Sequence, residues 1–90
     1  MKKTVITIIG KDNYGIIASA SAVCAGCKVN ILDITQSVIG DMFVMVMLAD
    51  IGEANCPFDE FSDKMRVFGE KAGLDVRVMH EDIFNSMHRI

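Results

Sequence analysis

The residues of this sequence with chemistry to offer are its three cysteines, its two histidines and one glycine-bounded polar loop. Cys24-Ala25-Gly26-Cys27 has the C-x-x-C spacing shared by thiol redox centres and half of a zinc site. A redox pair draws its low-pKa thiolate from a helix N-terminus. The apolar spacing around this pair instead predicts a helix C-terminus, where the dipole disfavours an anion. A structural zinc site needs two further ligands, and Cys56, His80 and His88 are scattered rather than spaced as a second pair. The thiols therefore read as packed and inert, free rather than bridged, since their number is odd and no secretion signal precedes them. Ser19, Ser21 and Ser37 stand in no nucleophile elbow, and neither histidine has a nucleophile partner. No acid, base and nucleophile set converges, so no catalysis, metal or cofactor is expected.

The loop Gly10-Lys11-Asp12-Asn13-Tyr14-Gly15 suits binding better. It leads into a predicted helix, whose unpaired first-turn N–H groups and positive dipole end favour a carboxylate. Gly15 has no side chain to block that approach. Asn13 can donate and accept, and Asp12 can pair with an ammonium group, so both polarities of an amino acid find a partner. The same residues have plain structural readings. Asn13 or Asp12 can cap the helix, and Gly15 can simply pack against a sheet.

Several elements must position this loop. Thr4 to Ile9 is a β-branched run, and Ile16, Ala20, Val23, Cys24 and Cys27 recur at helical spacing, which predicts a helix over 14–25. Gly26 stands where a left-handed C-terminal residue belongs. Val29 to Ile39 and Met42 to Ala49 flank the turn signal Gly40-Asp41, and predict a β-hairpin. Pro57 suits a first helical position, Asp59 and Glu60 suit the first turn, and Phe58, Phe61, Met65, Phe68 and Ala72 repeat at three and four before Gly73. Leu74, Val76 and Val78 alternate as a strand, and Glu81 to Arg89 predicts a short terminal helix.

This order predicts an α+β fold over residues 1–90 as one domain: a ferredoxin-like βαββαβ arrangement. A four-stranded antiparallel sheet carries two helices on one face, with a short C-terminal helix after it. Such a fold hosts many functions. RNA-recognition modules share the strand order, but they stack bases on aromatics of the central strands, and here only Phe43 is available. The net charge of −3 also disfavours nucleic acid as a partner. A phosphate loop of the acylphosphatase type calls for an arginine, for which Lys11 is a weak substitute. No apolar run approaches the roughly 20 residues needed to span a bilayer, so no membrane association and a cytoplasmic location are expected. A chain of 90 residues buries a modest share of its surface, and both faces of Met42 to Leu48 are apolar. The helix-free face or the sheet edge is therefore expected to be covered by a second copy in a homodimer.

Ile8 to Ala18, with its glycine loop, resembles the first strand, loop and helix start of ACT domains. Val29-Asn30-Ile31 resembles the start of their second strand. Thr35-Gln36-Ser37-Val38 and the segment from Ile83-Phe84 to Ile90 are similar to stand-alone ACT proteins of the UPF0237 family. The resemblance covers essentially the whole chain. It implies a regulatory domain that binds a small effector, an amino acid above all, at a subunit interface. The implied ligand residues are Asp12, Asn13, Gly15 and Asn30, with Asp33 and Gln36 further along the second strand reaching the same interface. Asn30 can also merely satisfy a loop. The alternative function is a module that regulates a partner protein in trans without a small ligand.

Overall fold

The computed structural model describes residues 2–11 and 14–87. Four strands, β1 (Lys3–Lys11), β2 (Asn30–Ile39), β3 (Met42–Asp50) and β4 (Leu74–His80), alternate with helices α1 (Ile16–Gly26), α2 (Phe58–Ala72) and α3 (Glu81–Met87). The sheet order is β2-β3-β1-β4 with every neighbouring pair antiparallel. This is the ferredoxin-like arrangement that the strand and helix order predicts.

The period of two along β1 turns Ile6 and Ile8 to one face. Ile6 lies between Met47 and Val78, and Ile8 between Met45 and Val76. Ile16, Ala20 and Cys24 of α1 and Phe61 and Met65 of α2 close over that face. Ile6, Ile8, Met45, Met47, Phe61 and Met65 are all 0% exposed, and burying each side chain of this size contributes about 1.5–3 kcal/mol. Thr4 is buried in the same face, and its hydroxyl donates to the Met79 carbonyl at 2.7 Å, so this buried hydroxyl is not left unpaired. α2 approaches β4 closely at Gly69. A Cβ there would stand 2.9 Å from the Leu74 carbonyl oxygen, so only hydrogen fits.

The opposite face carries Val5, Thr7 and Ile9, with Leu48, Val46 and Val44 beside them on β3. These three β3 residues are half-buried. Val5 on this face is buried as well, and α3 contacts both β1 and β4.

The hairpin turn at Gly40 and Asp41 places the positive φ, 63°, on Gly40 alone, as a type II′ turn requires. Other local expectations are revised. β1 runs on through Gly10 and Lys11, which belong to the strand rather than the loop. Pro57 is the N-cap of α2, one residue before the expected first helical position, with extended ψ of 157°. The N-cap of α1 is Gly15, without a side-chain capping bond, rather than Asn13 or Asp12, which lie outside the described residues. His88 and the rest of the terminal segment also lie outside them, so the last helix is described only to Met87.

Gly26 is not the left-handed residue that ends α1. That role falls to Lys28, with φ of 56°. Val29 N–H donates to the Cys24 carbonyl at 2.8 Å and Lys28 N–H to that of Ala25 at 3.1 Å, the two bonds of a Schellman turn with Lys28 at its left-handed position. A side chain in that conformation costs roughly 1–2 kcal/mol. Lys28→Gly is therefore expected to stabilise the fold by about 0.5–1 kcal/mol, after the added entropy of the unfolded chain. Urea unfolding checks this, and an unchanged or lower midpoint would show that the lysine side chain offsets its own strain.

Candidate ligand-binding site

Gly15 and Asn30 sit where one element gives way to the next, Asp33 and Gln36 lie within β2, and Asp12 and Asn13 lie outside the described residues. Gly15 closes the connection from β1 into α1 in the left-handed conformation, φ 76° and ψ 11°. A Cβ there would meet open space, so the backbone angle and not packing calls for glycine. The first helical hydrogen bond runs from Ser19 N–H to the Gly15 carbonyl at 2.9 Å. The N–H groups of Ile16, Ile17 and Ala18 precede it and have no partner within the helix. The first turn holds no acidic residue that would compete with an anion for the dipole.

Asn30, Asp33 and Gln36 lie on β2, an edge of the sheet, and all three are exposed. Asn30 pairs in register with Asp50, and Asp33 with Leu48, both on the face away from α1 and α2. A bulge between Ile31 and Asp33 sets these two on the same face although three positions separate them. Gln36 pairs with Met45 and so belongs to the helix-covered face. Asp33 already accepts the Ile34 N–H through Oδ1 at 2.9 Å. One chain does not bring the set together. Asn30 is level with Asp50 and Lys3 at the start of β1, whereas Gly15 follows the end of β1 at Lys11. At about 3.3 Å per residue the two ends lie roughly 26 Å apart.

Two concavities among the described residues lie elsewhere. One of about 530 Å³ runs between α1 and α2 past Val23, Lys64, Val67 and Phe68, and another of about 440 Å³ lies among Lys2, Lys3, His80, Glu81 and Asp82. Neither Gly15, Asn30, Asp33 nor Gln36 lines them. His80 stacks on Phe58 with ring centroids 4.2 Å apart, a packing role at the end of β4.

A glycine-closed turn into an uncapped helix, on a βαββαβ sheet with a polar residue opening its edge strand, agrees with a family model described as the ACT domain, which matches residues 2–79. The chain belongs to the ACT domain family. A UPF0237 protein of Methanopyrus kandleri is 43% identical over 90 residues, covering 100% of both chains. A UPF0237 protein of Clostridium acetobutylicum is 42% identical over 88 residues, 98% of this chain and 99% of its own. Among solved structures, an ACT domain protein from Streptococcus pneumoniae matches with a TM-score of 0.80 and 29% identity, over 92% of this chain and 93% of that one. ACT domains form a family of regulatory ligand-binding modules. Among the described residues of this one, no helix is long and apolar enough to cross a membrane.

The thiols of this ACT domain stand closer together than their spacing suggests. Cys24 and Cys27 are buried at the end of α1, and Asn55, whose N–H donates to the Cys27 carbonyl at 2.9 Å, brings the half-buried Cys56 of the loop before α2 toward them. Nothing in helical or strand periodicity signals this contact, because a loop residue delivers it. Burial, and then the neighbouring Cys27, push the Cys24 thiol from its ordinary 9.0 up to about 11. The folded chain thus keeps a proton that the unfolded chain loses above pH 9, so stability falls as pH rises between the two values. The loss is expected to approach 2–3 kcal/mol, on the order of two pKa units, and to be absent from Cys24→Ala measured against its own neutral-pH stability. Urea midpoints at pH 8 and pH 11 check this, and equal alkaline losses for both proteins would overturn it.

Proposed function

We propose that this ACT domain is a non-catalytic sensor whose effector, an amino acid or a similar small carboxylate, binds between the first loop of one copy and β2 of a second. The observation that carries the reading is an unprotected edge strand between two half-sites. Native edge strands are commonly blunted by Lys, Pro or a bulge. β2 has no Lys, Arg or Pro, and beyond its bulge the stretch from Asp33 to Ile39 is regular, with Val38 and Ile39 55% and 70% exposed. Antiparallel pairing of two copies along that stretch carries Asn30 of each toward the hairpin end of the other. That is the end of the sheet at which β1 leaves for Gly15 and α1, and α1 lies against β2. Uncapped N–H groups would then meet the carboxylate, and Asp12, Asn13, Asn30 and Asp33 would supply polar partners for the remainder. Gln36 would lie within the paired stretch.

A second reading, a module acting on a protein partner in trans without a small ligand, draws support from the apolar groove between α1 and α2. α1 carries no charged residue, and its outward positions Ile17, Ala18, Ser19 and Ala22 are small or apolar.

Thermal shift against the common amino acids at millimolar concentration separates the two readings. A ligand at about 100 times its Kd stabilises by about 2.7 kcal/mol, a shift on the order of 10 °C for a domain this small. One or a few amino acids are expected to give such a rise, and Asn30→Ala to lose it. A flat response, with a stoichiometric partner recovered from cells, would replace the first reading with the second. Light scattering at micromolar concentration is expected to give twice the 9.9 kDa chain mass. A monomer would remove the shared site.

A further inference from the structure

We propose that Cys27 and Cys56 are a modification site, oxidised by peroxides to a reversible intramolecular disulfide. The loop before α2 is clamped to the end of α1 by Asn55. Its main-chain N–H donates to the Cys27 carbonyl at 2.9 Å, and its Nδ2 donates to the Gly26 carbonyl at 3.1 Å. Cys56 follows directly, so this clamp sets it beside the turn that carries Cys27, and its side chain packs against the buried cluster to which Cys27 belongs. Bringing the two sulfurs to bonding distance calls on movement of a loop whose anchor beside Cys27 is already made. Cys27 is 1% exposed and Cys24 is 0% exposed, whereas Cys56 is half-buried, so a peroxide reaches Cys56 first.

The chemistry balances in two steps. The Cys56 sulfur attacks one peroxide oxygen. The O–O bond breaks, the thiol proton passes to the departing oxygen, and Cys56 becomes a sulfenic acid as the peroxide leaves as water or an alcohol. The Cys27 sulfur then attacks the Cys56 sulfur. The S–S bond forms, the S–O bond breaks, and the leaving hydroxide takes the Cys27 proton and departs as water. Two thiols have lost two electrons to one peroxide. Burial first, then Cys27, hold the Cys56 thiol in its protonated form, so the first step is slow and the pair responds to sustained oxidation. The bridge would tie the turn between α1 and β2 to the start of α2, and this proposal stands whether or not an effector binds near Asn30.

The test treats the purified full chain with hydrogen peroxide, blocks free thiols with N-ethylmaleimide, and maps peptides without reduction. The expected result is a Cys27–Cys56 linked peptide lighter by two hydrogens, with Cys24 free, reversed by dithiothreitol. The oxidised chain should melt higher by on the order of 10 °C, since the bridge closes a loop of intermediate length. Cys24→Ala should keep the link and Cys56→Ser should abolish it. Cys27→Ser should abolish it too, and the half-buried position of Cys56 keeps Cys56→Ser usable should Cys27→Ser fail to fold. A Cys24–Cys27 link, links only between chains, higher oxides of Cys56 beside an intact Cys27, or no oxidation would each overturn the proposal.

Discussion

One dry sheet face is the constraint from which the other features follow. Ile6, Ile8, Met45 and Met47 can leave water together only if β1 and β3 hold one register and both long helices cover the same side. A slip of one residue would turn every one of these side chains to the opposite face. The register also decides where chain reversals fall. It puts the hairpin and the exit of β1 at one end of the sheet, and Asn30, Asp50 and Lys3 at the other. The position of the candidate ligand residues is thus a by-product of core packing.

That dependence explains what could be read from the sequence. The β-branched run of β1, the alternation along β4, the Gly40-Asp41 turn and the left-handed Gly73 at the end of α2 are local signals that tertiary packing does not contradict. The end of α1 differs. A glycine at position 26 invites assignment of the left-handed residue there, yet the helix runs through it and Lys28 bears the strain. Val29 must be delivered to the core at 5% exposure, and the turn that delivers it closes two residues later. Asn30, Asp33 and Gln36 were recognisable as polar residues of the second strand, but their faces depend on a bulge at Leu32 that no residue type announces. The convergence of Cys56 on Cys27 was equally hidden, because it rests on the hydrogen bonds of Asn55 across the loop.

The two helices present different exteriors. α2 has an ordinary charged outer surface, with Lys64 paired to Glu60, and Arg66 to both Asp63 and Glu70. Such exposed pairs contribute only about 0.2–1 kcal/mol each, and their main effect is to keep that surface soluble. α1 has no charge along its length and adjoins an edge strand with a single acidic residue beyond its first position. Chain surface that has lost its charges on two adjoining elements is the composition expected of an interface, since desolvating an unpaired charge there would cost several kcal/mol.

The turn from α1 into β2 joins these threads. Within a few residues it holds the buried Cys27, the strained Lys28, the core residue Val29 and the exposed Asn30, and Asn55 fastens it to the loop before α2. A rigid turn here aims Asn30 outward from a fixed backbone, which is what a polar contact at an interface requires if its hydrogen bond is not to be offset by ordering entropy. The strain at Lys28 is tolerated because the Schellman bonds and the Asn55 clamp determine the same backbone path twice over. Loosening either should spread the orientations of Asn30 and disturb the core together, since Cys24, Cys27 and Val29 of this corner belong to the same buried cluster as the dry face of the sheet.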